Sequence, residues 1–180
     1  ALGLFRQHGY HGVGIDQIAE AVGIAGPSVY AHFSSKLEIL VDAYYRATAA
    51  VDVGAEAALR AATSADEALA GLARSYVRAA FANADFLSVA MWETRAIEAA
   101  DRRMWSRRRR ATRDVWSAVL REVRPELSEG ETRALVHHAL PLVVNVSLNR
   151  RDRRPTGPEA VSLVMAFLMS NVRGTVSACP

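Results

Sequence analysis

At 180 residues the chain has room for one ordinary domain, or for a module of roughly 50 residues joined to a larger one. A hydrophobic share of 51% against 23% charged excludes a disordered chain, and a lone cysteine, Cys179, excludes a disulfide scaffold and points to a reducing cytoplasm. Net charge is only +3 and the pI is about 9.4, with Lys36 the single lysine among 22 basic residues, so any link to nucleic acid depends on where the arginines sit.

The first six residues, Ala1 to Arg6, lack a basic leader, a long apolar run and a cleavage site, so no signal peptide is predicted. They open without Met inside an apolar pattern, and the expectation is that the chain has lost its true beginning. Leu2 and Phe5 predict a first helix ending near His8 at the Gly9 stop, and Gly9, Gly12 and Gly14 make the following link glycine-rich. Ile15, Ile18, Ala19 and Val22 form one face of a short helix stopped by Gly23. Pro27 fits the first turn of the next helix, in which Val29 and Phe33 face inward. Ser35 is placed to cap a long helix from Lys36 onward. The helical pattern then breaks at 63–66, 83–85, 125–130 and 152–158, with Ser128 and Glu131 forming a capping box and Pro158 suiting a last helix start. The fold class is therefore all-α, with about nine helices. The longest stretch without Asp, Glu, Lys or Arg, residues 134–149, is shorter than the ~18 apolar residues of a membrane span, so no membrane partner is expected.

Two short helices joined by a tight glycine-containing turn describe a helix-turn-helix. In that arrangement the second helix presents its outer side chains to the major groove, and removing the inward Val29 and Phe33 leaves Pro27, Ser28, Tyr30, Ala31 and His32 for that face. Small and hydroxyl side chains there can approach phosphates or a thymine methyl, and Tyr30 and His32 can donate to phosphate oxygens.

At these residues the chain resembles the TetR family of bacterial transcriptional regulators. The resemblance rests on Leu4-Phe5, Gly9-Tyr10, Ile15-Asp16, Ile18-Ala19, Val22-Gly23-Ile24, the run Ser28 to Phe33, Ser35-Lys36 and Leu40, and covers roughly the first 46 residues. It implies a DNA-binding module over 1–46, with Gly26, Pro27, Ser28, Tyr30, His32 and Lys36 at DNA-contacting positions and Lys36 touching phosphate. It also implies that Tyr10, Ile18 and Phe33 form the small core setting the helix angles, and that 47–180 is a ligand-binding and dimerisation domain. Val13-Gly14 and Ala25-Gly26-Pro27 depart from the family where capping hydroxyls and polar base readers usually stand, so direct base readout is expected to be sparse. The module itself is not basic: Arg6, Lys36 and Arg46 face Asp16, Glu20, Glu38 and Asp42, a net of −1.

The arginines are concentrated further along, at Arg102, Arg103, Arg107 to Arg110 and Arg113. On that helix Trp105, Thr112, Trp116, Val119 and Val123 form a stripe, and Arg108 falls on the core side of it, where a charge needs a partner. The expected partner is Glu93 in an ion pair; the sharper reading is the carboxylate or phosphate of a ligand. Phe81, Phe86, Met91, Trp92, Trp105, Arg108, Trp116, His138 and Asn145 are the candidate lining of an apolar pocket with a few polar anchors, and the alternative is that the aromatic stripe is plain core. His137 and His138 point about 100° apart with no Glu-x-x-His pair, so no metal is expected, and Pro141 predicts a kink.

The last two helices carry more apolar surface than one face of a monomer covers. Leu135, Leu142 and Val146 on one, and Val161, Val164, Met165, Leu168 and Val172 on the other, are expected to form a homodimer interface, as the resemblance also implies. The expected function is a cytoplasmic, ligand-responsive homodimeric regulator, a repressor on palindromic double-stranded operator DNA released by a small, mostly apolar effector, with an anionic one as the alternative. No catalytic residues and no cofactor are assigned. The competing reading is an all-α small-molecule-binding protein or enzyme whose front module no longer binds DNA.

Overall fold

A computed structural model describes residues 1–92, 99–148 and 155–170, the side chains of 90–92 and 99–101 excepted. Among the described residues the chain is all-α, with nine helices and no strand: α1 Leu2–His8, α2 Ile15–Ala21, α3 Gly26–Tyr30, α4 Lys36–Ala61, α5 Ala65–Ala82, α6 Ala84–Trp92, α7 Ala99–Val123, α8 Glu129–Leu148 and α9 Gly157–Leu168. Local chemistry sets most of these ends. Gly9 and Gly23 take φ of 78° and 72° after α1 and α2, a region that side chains with a Cβ enter at a cost. Ser35 accepts from the Glu38 N–H, Ser64 from Glu67, Ser128 from Glu131 and Thr156 from Glu159, each satisfying an otherwise orphaned first-turn donor. The Ser128 box was legible in the sequence; its Thr156 counterpart, with Glu159 reaching back to the Thr156 N–H at 2.7 Å, went unread there.

Two hydrophobic clusters organise the molecule. The larger surrounds α5, whose Leu69, Leu72, Ala73 and Val77 pack between Trp116 and Leu120 of α7, Val136, Ala139 and Val143 of α8, and Val164 and Leu168 of α9. Each fully buried leucine there contributes roughly 2–3 kcal/mol relative to exposure. The smaller joins Phe5, Ile18 and Val29 of the first three helices, Tyr10 and Val13 of the link between α1 and α2, and Leu40 of early α4 to Phe86, Val89 and Trp105 of α6 and α7. The boundary expected between residues 46 and 47 falls inside α4, which contributes Ile39, Leu40, Tyr44 and Ala47 to the smaller cluster and lies along α5 with its second half.

That second half runs very close to α5. A Cβ on Gly54 would meet Ser75 at 3.0 Å, and one on Gly71 would meet Ala58 at 3.0 Å, two pairings that share one antiparallel register. The missing side chains at both positions let the two helices approach closely, and a Cβ at either would press on its neighbour. At the far end, buried Arg124 after α7 donates to the Leu168 and Ser170 carbonyls at 3.0 and 2.8 Å and to Glu126 at 2.8 Å, closing the C-terminal end of α9.

Candidate nucleic-acid interface and the seam behind it

The front interface is built from the loop outward. Lys36, at the start of α4, points back into the module: its Nζ donates to the Tyr10 and Val13 carbonyls at 2.8 and 2.7 Å and lies 4.9 Å from the Tyr10 ring centre. It thereby pins the link between α1 and α2. At the end of that link the Gly14 N–H donates to Gln17 Oε1 at 2.7 Å, half of a capping box for α2. The turn after α2 closes through Ile24 N–H to Ala19 carbonyl at 3.0 Å, and Gly26 then passes so near the Asp16 carboxylate that a Cβ would stand 2.5 Å from Oδ1.

Helix α3 is short and is prolonged by bonds from Ala31 to Pro27 and from His32 and Phe33 to Val29. Val29 is buried while Pro27, Ser28, Ala31 and His32 are exposed, and Tyr30 keeps 57% of its surface open. Five of the six positions singled out for DNA contact therefore lie along α3 and the turn after it, with Gly26 half-buried, while Lys36 is turned inward. The other two cations of the first 46 residues are also engaged by carboxylates: Arg6 with Asp85 of α6 at 2.9 Å, and Arg46 with Asp42 at 2.7 Å.

Behind the module, α7 lies alongside α4. Tyr45 donates to Met104 Sδ at 3.3 Å, Trp105 stacks on Tyr44 at 4.0 Å and 15°, and Arg108 donates to Thr48 at 3.0 Å and Asp52 at 3.2 Å. The partner of Arg108 among the described residues is thus Asp52 on α4; Glu93, expected in that role, lies outside them. The Tyr44 hydroxyl and the Trp105 indole N–H are buried with no hydrogen-bond partner among the described residues. An orphaned buried donor costs about 1–3 kcal/mol, so two in one stack are a concentrated expense. Burial pushes the Tyr44 phenol up to about 12, against the opposing fields of Arg109 and then Arg108. Tyr76 is likewise raised to about 12 by burial, opposed by Arg109.

The candidate pocket lining divides. Phe86 and Trp105 join Tyr44 in the smaller cluster, whereas Phe81 and Trp116 belong to the larger one, Trp116 set edge-on to Tyr76 at 5.9 Å. His138 and Asn145 are exposed on α8, and the side chains of Met91 and Trp92 lie outside the described residues. Tyr44, Thr48, Asp52 and Tyr76 are not singled out by the sequence, and Arg109 reads there as one of the outward arginines of α7. The Leu40, Tyr44, Ala47 spacing marks a buried face on α4, but nothing in it names the arginine-rich helix as the neighbour. A separate surface groove of about 450 Å³ between α7 and α8, lined by charged residues including Asp114, Arg121, Glu122 and Arg133, contains none of the expected lining. Among the described residues no group of three or more His, Cys, Asp or Glu could hold a metal, and no helix is long and apolar enough to cross a membrane.

Of the residues expected at a dimer interface, Leu135, Val164 and Leu168 are buried within this chain's own core. Leu142, Val146, Val161 and Met165 are half-buried, and Val172 lies outside the described residues. The apolar surface left open on α9 is instead Leu163 and the adjoining Met169, 47% and 48% exposed.

Residues 1–43 match the sequence pattern of "Bacterial regulatory proteins, tetR family". The HTH-type transcriptional activator FasR of Mycolicibacterium smegmatis is 40% identical over 60 residues, which is 33% of this chain and 27% of that protein, so the match spans about a quarter of its relative's length. The fold extends the likeness to the whole chain. The regulator PfmR from Thermus thermophilus superposes with a TM-score of 0.76 at 21% identity, covering 93% of this chain and 91% of that one. The ketosteroid transcriptional regulator KstR2 of Mycobacterium tuberculosis gives 0.75 at 18%, covering 93% and 88%. A TetR-family regulator from Bordetella parapertussis gives 0.80 at 14%, covering 98% and 94%.

Proposed function

We propose that the chain, which carries the TetR pattern over residues 1–43 and shares the fold of TetR-family regulators, is a member of that family and a homodimeric, effector-responsive regulator of transcription that represses from a palindromic operator. Residues 1–46 form the DNA-binding module in this reading, and 47–180 the effector-binding and dimerisation domain. The observation that carries it is the outer face of α3, where Ser28, Tyr30 and His32 stand exposed while Val29 anchors the helix from behind. Hydroxyl, phenol and imidazole groups at that edge can bond phosphate and base edges. Because Arg6, Lys36 and Arg46 all have protein partners, this module leans on those side chains of α3 and on DNA shape more than on its arginines and lysine.

Pairing of α8 and α9 across a two-fold axis, with Leu163 and Met169 in the contact, sets two modules about one helical turn, roughly 34 Å, apart. An effector that favours a different separation releases the DNA by population shift. We assign no catalytic chemistry and no cofactor. A second reading, activation, is favoured by the name of the FasR relative and uses the same contacts with the opposite outcome at the promoter.

A gel shift with the full-length protein and the DNA upstream of its own gene tests this. The expected outcome is a specific retarded band over a palindrome, weakened about tenfold or more by Tyr30→Ala. No specific band there or at neighbouring promoters would leave a small-molecule-binding protein whose module has lost DNA. A reporter driven by the bound promoter separates repression from activation.

A further inference from the structure

The seam between α4 and α7 holds an excess of donors. Tyr44 and Trp105 are each more than nine-tenths buried, and the phenol O–H of one and the indole N–H of the other have no partner among the described residues. They belong to one place, since their rings stack at 4.0 Å. Two guanidinium groups border the stack. Arg108 reaches Thr48 and Asp52 on α4, and Arg109 bonds Ser106 at a long 3.5 Å while its field bears on both the Tyr44 and the Tyr76 phenols. Against these donors the seam offers few acceptors, chiefly the Asp52 carboxylate and the Thr48 and Ser106 hydroxyl oxygens.

A ligand amine would add donors to a site already rich in them, and an alcohol brings one oxygen and a further donor of its own. A carboxylate brings acceptor lone pairs alone, together with the negative charge that two guanidinium groups favour. Phe86 and Val89 of α6, buried in the same cluster, supply apolar surface for the rest of the molecule. We infer that this seam is the head-group site of the effector, and that the effector is an apolar organic acid whose carboxylate accepts from Tyr44 Oη and Trp105 Nε1 and lies against Arg109. The inference rests on the proposed reading that the body takes an effector, and names its class. The same carboxylate competes with Asp52 for Arg108, so occupancy loosens a bond between α7 and the helix that carries the DNA-binding module.

The test is a titration of the full-length protein, followed by calorimetry and tryptophan fluorescence, with straight-chain acids from butanoate to dodecanoate, benzoate and phenylacetate. The matching alcohols and octyl phosphate serve as controls. At least one acid is expected to bind about tenfold or more tightly than its alcohol, and Tyr44→Phe and Arg109→Gln are each expected to weaken it by a similar factor. Tyr44→Phe should leave the melting temperature unchanged or raised, since it removes an unsatisfied hydroxyl, which separates lost binding from lost folding. The inference is overturned if no acid in the series binds, if acids bind no better than alcohols, if octyl phosphate outcompetes every acid, or if both variants bind like the parent. Repeating the titration on the DNA complex keeps the two readings apart. Release of DNA by alcohols but not acids removes the acid site and keeps the regulator; acid binding by a protein that never shifts DNA does the reverse.

Discussion

In and beside the cluster around α5 the buried polar side chains have partners: Thr132 donates to the Ser128 carbonyl at 3.0 Å, Ser147 to the Val144 carbonyl at 2.7 Å, and Arg124 to two carbonyls and a carboxylate. In the cluster around Tyr44, by contrast, a phenol and an indole are stacked together with neither donor bonded among the described residues. Both regions bury similar apolar side chains, and they differ in whether the polar groups among them are paired. A satisfied interior gains nothing from a visitor, whereas an interior with spare donors gains a hydrogen bond for each acceptor that enters.

The largest expected effect is at Arg124. Replacing it by Met removes the donor that the Leu168 and Ser170 carbonyls at and just beyond the end of α9 depend on, and urea unfolding should show a loss of about 3 kcal/mol with an unchanged slope. An unaltered midpoint would mean that water satisfies those carbonyls equally well, and the contrast between the clusters would weaken. Next comes Lys36→Met, which frees the Tyr10 and Val13 carbonyls and should cost about 2 kcal/mol, read as faster amide exchange across residues 10–14. Lys36→Arg should not restore it, because a planar fork does not fit where a compact ammonium meets two carbonyls and a ring. If Lys36 were mainly a phosphate contact, Arg would rescue DNA affinity and Met would reduce the salt slope by about 1.

The contrast is sharpened most directly by removing one hydroxyl from each cluster. Thr132→Val should lose about 1 kcal/mol, while Tyr44→Phe should lose nothing or gain about as much. Equal losses in the two variants would show that the Tyr44 hydroxyl has found a partner after all. The smallest effect belongs to the helix caps outside both clusters. Backbone and side-chain bonds from Ser34 hold the Glu38 carboxyl below its ordinary value of 4.5, and those from Thr63 do the same for Glu67. A depressed carboxylate supports the fold above the unfolded-state value and loses that support as pH falls through the lower folded value. Protection of the first-turn amides of α4 and α5, taken relative to their intrinsic exchange rates, should therefore fall as pH drops below 4.5, and Ser34→Ala and Thr63→Ala should bring the carboxyls back toward the ordinary range.

Periodicity and local chemistry made the fold class, the Ser35 and Ser128 caps, the stops at Gly9 and Gly23 and the outward set Pro27 to His32 readable before any coordinates. All are decided by neighbours within about four positions. The seam was not readable, because its pairings join Tyr44 to Trp105 and Asp52 to Arg108, dozens of residues apart. A stripe shows which face of a helix is buried but not what covers it, so it leaves open which carboxylate meets Arg108 and which cluster each aromatic joins. Gly54 and Gly71 give an equally ambiguous signal. In a helical pattern each looks like a weak point, yet both mark the closest approach of α4 and α5.

That approach also sets a mechanical limit. With Gly54 against Ser75 and Ala58 against Gly71, the upper part of α4 has no room to slide on α5, and it acts as a clamp. The part of α4 outside this clamp runs from Gly54 to Lys36, about 27 Å at 1.5 Å per residue, and is held there by the seam with α7. A tilt of ~10° about that fulcrum would carry the Lys36 end by ~5 Å, a sizeable fraction of the ~34 Å between adjacent major-groove faces. Spin labels at Ser34 in the two protomers of the proposed dimer would read this displacement directly, and filling the clamp with Gly71→Ala should change its amplitude without touching a residue of the seam.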